Sequence, residues 1–277
     1  TLQKTCFRRA FMNNMMKNIF IEGLQGSGKS TLANGLTKEL SDYQLYVEGD
    51  ISPVELAWCG YLNETQYKEV LSKYPDIRDD IKLHTKVENE RYVVAYTRIL
   101  TDYEGFHNLL GSYEIYDGRV DFPFFRDTIM KRYEHFSSYG NLFECSFFQN
   151  SLECMMLFYE MSDDDIVKFY KQAYELLKDK NFRMIYIDSN DISGNIAQIR
   201  KERVDTNGNE IWFSLMMDYL TKSPYGKHHG YQDGNDLINH LEHRRNIELR
   251  VIDEVLKKKC LVVKSKDYVL TDVVEWV

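Results

Sequence analysis

Between Gly23 and Ser30 the chain reads GLQGSGKS, and Gly23, Gly28, Lys29 and Ser30 satisfy the spacing G-x-x-x-x-G-K-[ST]. Gly23, Gly26 and Gly28 free the backbone so that N–H groups around Ser27 can converge on an anion. The start of a following helix, from Lys29 through Thr31, adds its positive end. Lys29 is the cation expected to reach the β- and γ-phosphates of a nucleotide, and the Ser30 hydroxyl is the oxygen expected to hold Mg²⁺. A glycine-rich turn without a ligand is the competing reading. The apolar run NIFIEG before the loop and the helical pattern after it argue for the phosphate.

Using a triphosphate requires a carboxylate near an acceptor and cations around the phosphoryl group in flight. Asp50 closes the stretch YQLYVEGD and is the first choice for the base that takes the acceptor's proton. Glu48, two residues earlier, shares its face if the stretch is a strand, and is the reserve. Both acids could equally cap the segment that follows. Glu144 ends NLFE, where a carboxylate can bind the water shell of Mg²⁺, although a strand-end acid needs no such role. Arg200 and Arg203 are three apart on an expected helix and lie on one side of it; a solvated charged face is the plainer reading of RKER. Arg119, in YDGRVDFP, could clamp an anionic or planar substrate, or be a loop arginine. Gln149, beside Asn150, could read a polar acceptor through paired hydrogen bonds.

Other features set limits. The net charge of −8 over 277 residues argues against a nucleic-acid partner, which needs a concentrated basic face. No apolar run is long enough to cross a membrane. Cys6, Cys59, Cys145, Cys154 and Cys260 are odd in number and never C-x-x-C, which fits reduced thiols in a cytoplasmic setting. His228, His229, His240 and His243 fit no zinc spacing and read as loop and helix-surface residues. The basic stretch TLQKTCFRRAFMNNMMKN is too poor in apolar residues for a signal peptide, and a start at Met15 or Met16 would open the domain cleanly.

These residues need a scaffold. NIFIEG, YQLYVEGD, NLFECS, NFRMIYIDS and KKKCLVVKS read as five strands, the third the weakest by pattern. Helices separate them. Leu32, Leu36 and Leu40 form one face of the first; Ser162 caps a helix that opens on three acids and closes on lysines; NDLINHLEHRRNIELRVIDEVLKKK is one long helix. Alternating strands and helices predict an α/β fold, a three-layer sandwich around a five-stranded parallel sheet. Residues 15–50 and 139–277 would form the nucleotide-binding core. Residues 51–138 would be a mostly helical substrate-binding insertion, too long for a simple crossover.

The order of motifs resembles the P-loop nucleoside and nucleotide kinase family, above all deoxynucleoside and thymidylate kinases. EGDISPVELAWC is similar to the acid-Pro-Val…Trp-Cys segment after that family's second strand, and also to a block in a bacterial branch of P-loop proteins. LFECS sits where the family has Glu-Arg-Ser, with Cys145 in place of the arginine. QIRKERVDTNGNEIWFSLMMDYL looks like its arginine-bearing lid, and VVKSKDY like the loop around adenine. The resemblance implies ATP and Mg²⁺ as cofactors, a small-molecule acceptor, and γ-phosphoryl transfer to a nucleoside, nucleotide or similar compound; a homodimer is compatible with it. A nucleotide-gated module that binds a protein partner and an antibiotic-type phosphotransferase are the alternatives.

Overall fold

The computed structural model describes residues 16–277; the start at Met15, the basic stretch before it and Cys6 lie outside the described residues. The chain forms two compact units, one from the residues up to Leu45 together with Ser137–Val277, the other Tyr46–Phe136. Glu48 and Asp50 therefore belong to the second unit and not to the first, where the expected boundary at residue 50 placed them.

In chain order the elements are β1 (Asn18–Gly23), α1 (Lys29–Glu39) and β2 (Gln44–Tyr46). The second unit contains β3 (Gly60–Leu62), α2 (Glu64–Lys73), α3 (Arg78–Leu83), β4 (Thr85–Glu88), β5 (Arg91–Val94), α4 (Phe106–Gly111) and α5 (Phe122–His135). The chain then runs through β6 (Asn141–Glu144), α6 (Gln149–Leu157), α7 (Asp163–Leu177), β7 (Phe182–Asp188), α8 (Ile192–Glu202) and α9 (Ile211–Lys222). It closes with α10 (Pro224–His229), α11 (Gly234–Val251), β8 (Cys260–Lys264) and α12 (Leu270–Trp276).

The first unit is an α/β structure with a five-stranded, all-parallel sheet in the order β2-β6-β1-β7-β8. Alternation along β1 decides what lies on each face. Ile19 and Ile21 pack with Leu32, Ala33 and Leu36 of α1 and Val273 of α12. Phe20 turns the other way, its ring 4.8 Å from Phe143 and 5.0 Å from Phe182. Burying both faces makes the strand apolar throughout, apart from Asn18 and Glu22. Helix α7 starts where its cap predicts, the Ser162 Oγ accepting from the Asp165 N–H at 3.2 Å. No helix of the described residues is long and apolar enough to cross a membrane.

Three expectations need correction. The stretch YQLYVEGD is a strand only to Tyr46, because Val47–Asp50 folds into a tight turn. The Asp50 N–H donates to the Val47 carbonyl at 3.1 Å, and Gly49 takes φ +84°. Glu48 and Asp50 thus sit on a turn, not on alternate positions of a strand. The insertion is not helical alone, since beside α2–α5 it holds an antiparallel sheet in the order β3-β5-β4 where the sequence reading expected helix. The β4–β5 hairpin turns at Asn89 and Glu90, both at positive φ, the backbone a two-residue hairpin turn demands. Finally, the long helix stops at Val251, and Ile252–Leu256 continues as a π-turn before Lys257 takes φ +51°.

Candidate functional site

The loop from Gly23 to Ser30 joins β1 to α1 in the first unit. A Cβ at Gly23 (φ +145°) would lie 2.6 Å from the Ile187 carbonyl oxygen, so only glycine lets the chain leave the sheet here. Gly26 (φ +75°) is pressed from above: a Cβ would meet Ile199 Cδ1 at 3.0 Å and Asn195 Cβ at 3.1 Å. Gly28 precedes the helix in the left-handed region, with open space around it. Ser265 Oγ, just past β8, donates to the Ser27 carbonyl at 2.8 Å. Helix α8 and the segment after β8 thereby brace the loop from both sides.

The Lys29 ammonium is buried and folds back over the loop, donating to the Gly23 and Leu24 carbonyls at 2.8 and 2.9 Å. Ser30 Oγ donates to Glu144 Oε1 at 2.5 Å. Because β6 pairs directly with β1, with Ile21 opposite Glu144, the strand register itself brings the carboxylate to the first turn of α1. A hydroxyl and a carboxylate so placed are hard oxygen donors, and Mg²⁺ commonly takes one or two protein oxygens and fills its octahedron with phosphate and water. The donor set fits that ion. Thr31 follows on the exposed side of α1, and Gln149 opens α6, half-buried.

Beneath the loop lies a buried polar network that sequence reasoning did not find. Arg244 is fully buried. It donates from Nε to Glu248 and from Nη1 to Glu153, both at 2.8 Å, with a longer contact of 3.4 Å to Gln25 of the loop. Tyr186 OH donates to Glu248 at 2.6 Å, and His240 Nε2 meets Glu153 at 2.6 Å. Burial pushes the Glu153 carboxyl up, but His240 and Arg244 outweigh it and hold it at about 2. Glu22 faces the same side. Burial pushes its carboxyl up to about 8, and neither the Phe147 N–H, which donates to Oε1 at 2.6 Å, nor the cations of Lys29 and Arg244 offset it. His240 corrects the expectation of surface histidines, being 2% exposed. His228 and His243 do pair near the surface, with Glu160 at 2.6 Å and Asp163 at 2.9 Å.

Arg200 lies on α8 and Arg203 caps its end. Arg200 donates from Nε to Glu210 Oε2 at 2.8 Å and stacks 4.1 Å from the Phe213 ring centroid; Arg203 lies 5.9 Å from the Trp212 ring.

In the second unit, both Asp50 oxygens have partners. Oδ1 accepts from Arg98 Nη2 at 2.8 Å and Oδ2 from the Val47 N–H at 2.9 Å; Arg98 also donates to the Glu48 carbonyl at 3.1 Å. Asp50 therefore caps its turn, and each oxygen keeps a second lone pair for another donor. Arg98 stands 48 positions from Asp50, and no local pattern announces it. Arg119 pairs with Asp117 at 3.2 Å and Glu114 at 3.7 Å. Glu114, raised by burial, also accepts from Tyr96 OH and, at 3.3 Å, from the Trp58 N–H. Glu55 accepts from Tyr116 OH and from the Leu56 and Ala57 N–H groups, yet burial pushes its carboxyl up to about 7. These bonds fix Trp58 at φ +63° with its indole half exposed.

The residues from Gly23 to Thr31, with Glu144, Gln149, Arg200 and Arg203, thus share the first unit, whereas Glu48, Asp50 and Arg119 share the second. A scan against protein-family models finds no match to this chain, and a comparison with curated proteins finds none either.

Proposed function

We propose that this chain is an ATP-dependent phosphotransferase of the small-molecule kinase type. The observation that carries the reading is the Ser30–Glu144 contact of 2.5 Å at the head of α1, directly behind a loop that already turns its lysine inward. The first unit binds the donor. Lys29 leaves the Gly23 and Leu24 carbonyls for the β- and γ-phosphates, and loop N–H groups take the remaining phosphate oxygens. Mg²⁺, when bound by Ser30 and Glu144, neutralises phosphate charge. The acceptor is a hydroxyl or phosphate of a nucleoside, nucleotide or similar compound. The acceptor oxygen forms its bond to the γ-phosphorus as the bond to the β,γ-bridging oxygen breaks, and ADP leaves. Asp50, held by Arg98, takes the acceptor's proton.

The test is calorimetric titration of a non-hydrolysable ATP analogue with Mg²⁺ into wild type and Lys29→Ala. A search follows for phosphorylated product across nucleosides, nucleotides and aminated polyols, with ADP counted in step. Analogue binding untouched in Lys29→Ala sinks the proposal. A second reading, a nucleotide-gated module for a protein partner, draws on α9, which exposes Ile211 and Leu215 and fully buries only Leu220. ADP formation with no phosphorylated acceptor would favour it.

A further inference from the structure

Helix α8 packs directly on the loop between Gly23 and Ser30. Asn195, Ile199 and Arg203 follow at four-residue intervals and form one stripe, and the first two touch the position of Gly26. Asn195 is fixed in turn, donating to Ser189 Oγ at 2.8 Å and accepting from Lys266 Nζ at 3.3 Å. The turn that leads from α8 to α9 is closed by Asp205, whose carboxylate accepts from the Asn207 and Asn209 N–H groups at 2.8 Å and from the Asn209 amide at 2.7 Å. That turn sets Glu210 opposite Arg200.

Glu210 stands at the N-cap of α9, where a carboxylate would ordinarily accept from the helix's first free N–H groups. It makes no such bond. Both Nε and Nη2 of Arg200 instead converge on its Oε2 at 2.8 Å. The Arg200 guanidinium is thus occupied by a side-chain anion and laid against Phe213.

We propose that Glu210 is a positioning residue that holds Arg200 in the nucleotide-free protein and yields it to the triphosphate. This rests on the ATP-binding reading above. The phosphate tail and the Glu210 carboxylate compete for one guanidinium. When the nucleotide takes Arg200, Glu210 is released to cap α9, so occupancy of the loop is passed to the one helix of this unit that carries exposed Ile211 and Leu215.

The experiment is titration of a non-hydrolysable ATP analogue with Mg²⁺ into wild type, Glu210→Gln, Glu202→Gln, Arg200→Ala and the Arg200→Ala/Glu210→Gln double variant, with thermal stability measured alongside. Glu202 is the control for general loss of negative charge, since it accepts from the Gln198 amide at 2.6 Å. Glu210→Gln is expected to tighten binding by about two- to fivefold, the range an exposed ion pair supports. The gain should be absent in the Arg200→Ala background. A gain equal to that of Glu202→Gln, or one that persists without Arg200, overturns the proposal while leaving ATP binding standing. Failure of wild type and all variants to bind the analogue removes the ATP-binding reading and this inference together.

Discussion

Ser30 and Glu144 share a single short contact, and each alone is an ordinary oxygen donor. If they hold Mg²⁺ jointly, Glu144→Gln should raise the Mg²⁺ concentration needed for half-maximal nucleotide binding while leaving metal-free binding nearly unchanged. Equal loss with and without the metal would show a carboxylate that merely supports the loop. Glu22 makes a different demand. Its carboxyl is raised to about 8 from an ordinary 4.5, so the folded protein holds a proton there that the unfolded chain has released. Folding takes up that proton between those two values, and stability falls as pH rises through the window. Glu22→Gln, which can still accept from the Phe147 N–H, should flatten the fall of melting temperature between pH 5 and 8. A slope unchanged in the variant would put the titration elsewhere.

At the scale of elements, the seat of α8 on the loop is the contact most exposed to test. Gly26→Ala adds a methyl at φ +75°, 3.0 Å from Ile199 Cδ1, and should cost about 1 kcal/mol or more. Ile199→Val removes that Cδ1 and should recover part of the loss and part of the nucleotide affinity; no recovery would mean that backbone strain alone is at work. Elements that the sequence made readable are those with strong local periodicity, such as β1 with its unbroken apolar run and α7 with its Ser162 cap. The β4–β5 hairpin was misread because its charged stretch KVENE resembles a helix surface, while Asn89 and Glu90 adopt a left-handed turn that only the flanking Tyr92–Val94 run hinted at. The glycine-built turn from Gly23 to Ser30, between a strand and a helix, was legible because its geometry is made within eight residues. Arg98 on Asp50 and Arg244 beneath Gln25 were not, because their partners are joined by the fold rather than by neighbourhood in the chain.

For the whole molecule, the buried carboxyls set opposing slopes. Glu153, held at about 2, stabilises the fold above its ordinary 4.5, and that contribution is lost as pH falls toward 2. Glu22 and Glu55, raised to about 8 and about 7, act in the other direction and weaken the fold as pH climbs from 4.5. The urea midpoint should therefore peak on the acid side of neutrality, near pH 5. A midpoint that rises steadily through pH 8 would contradict the balance.

The pairing of β1 with β6 has a consequence for how the protein is made. Asn18 meets Asn141 across 123 positions of chain, and β7 follows later still. Every strand pairing of the second unit, by contrast, lies within residues 46–136. On the ribosome the inserted unit can finish folding while β1 still waits for both of its neighbours, so the loop that would hold ATP is shaped only after β7 has emerged.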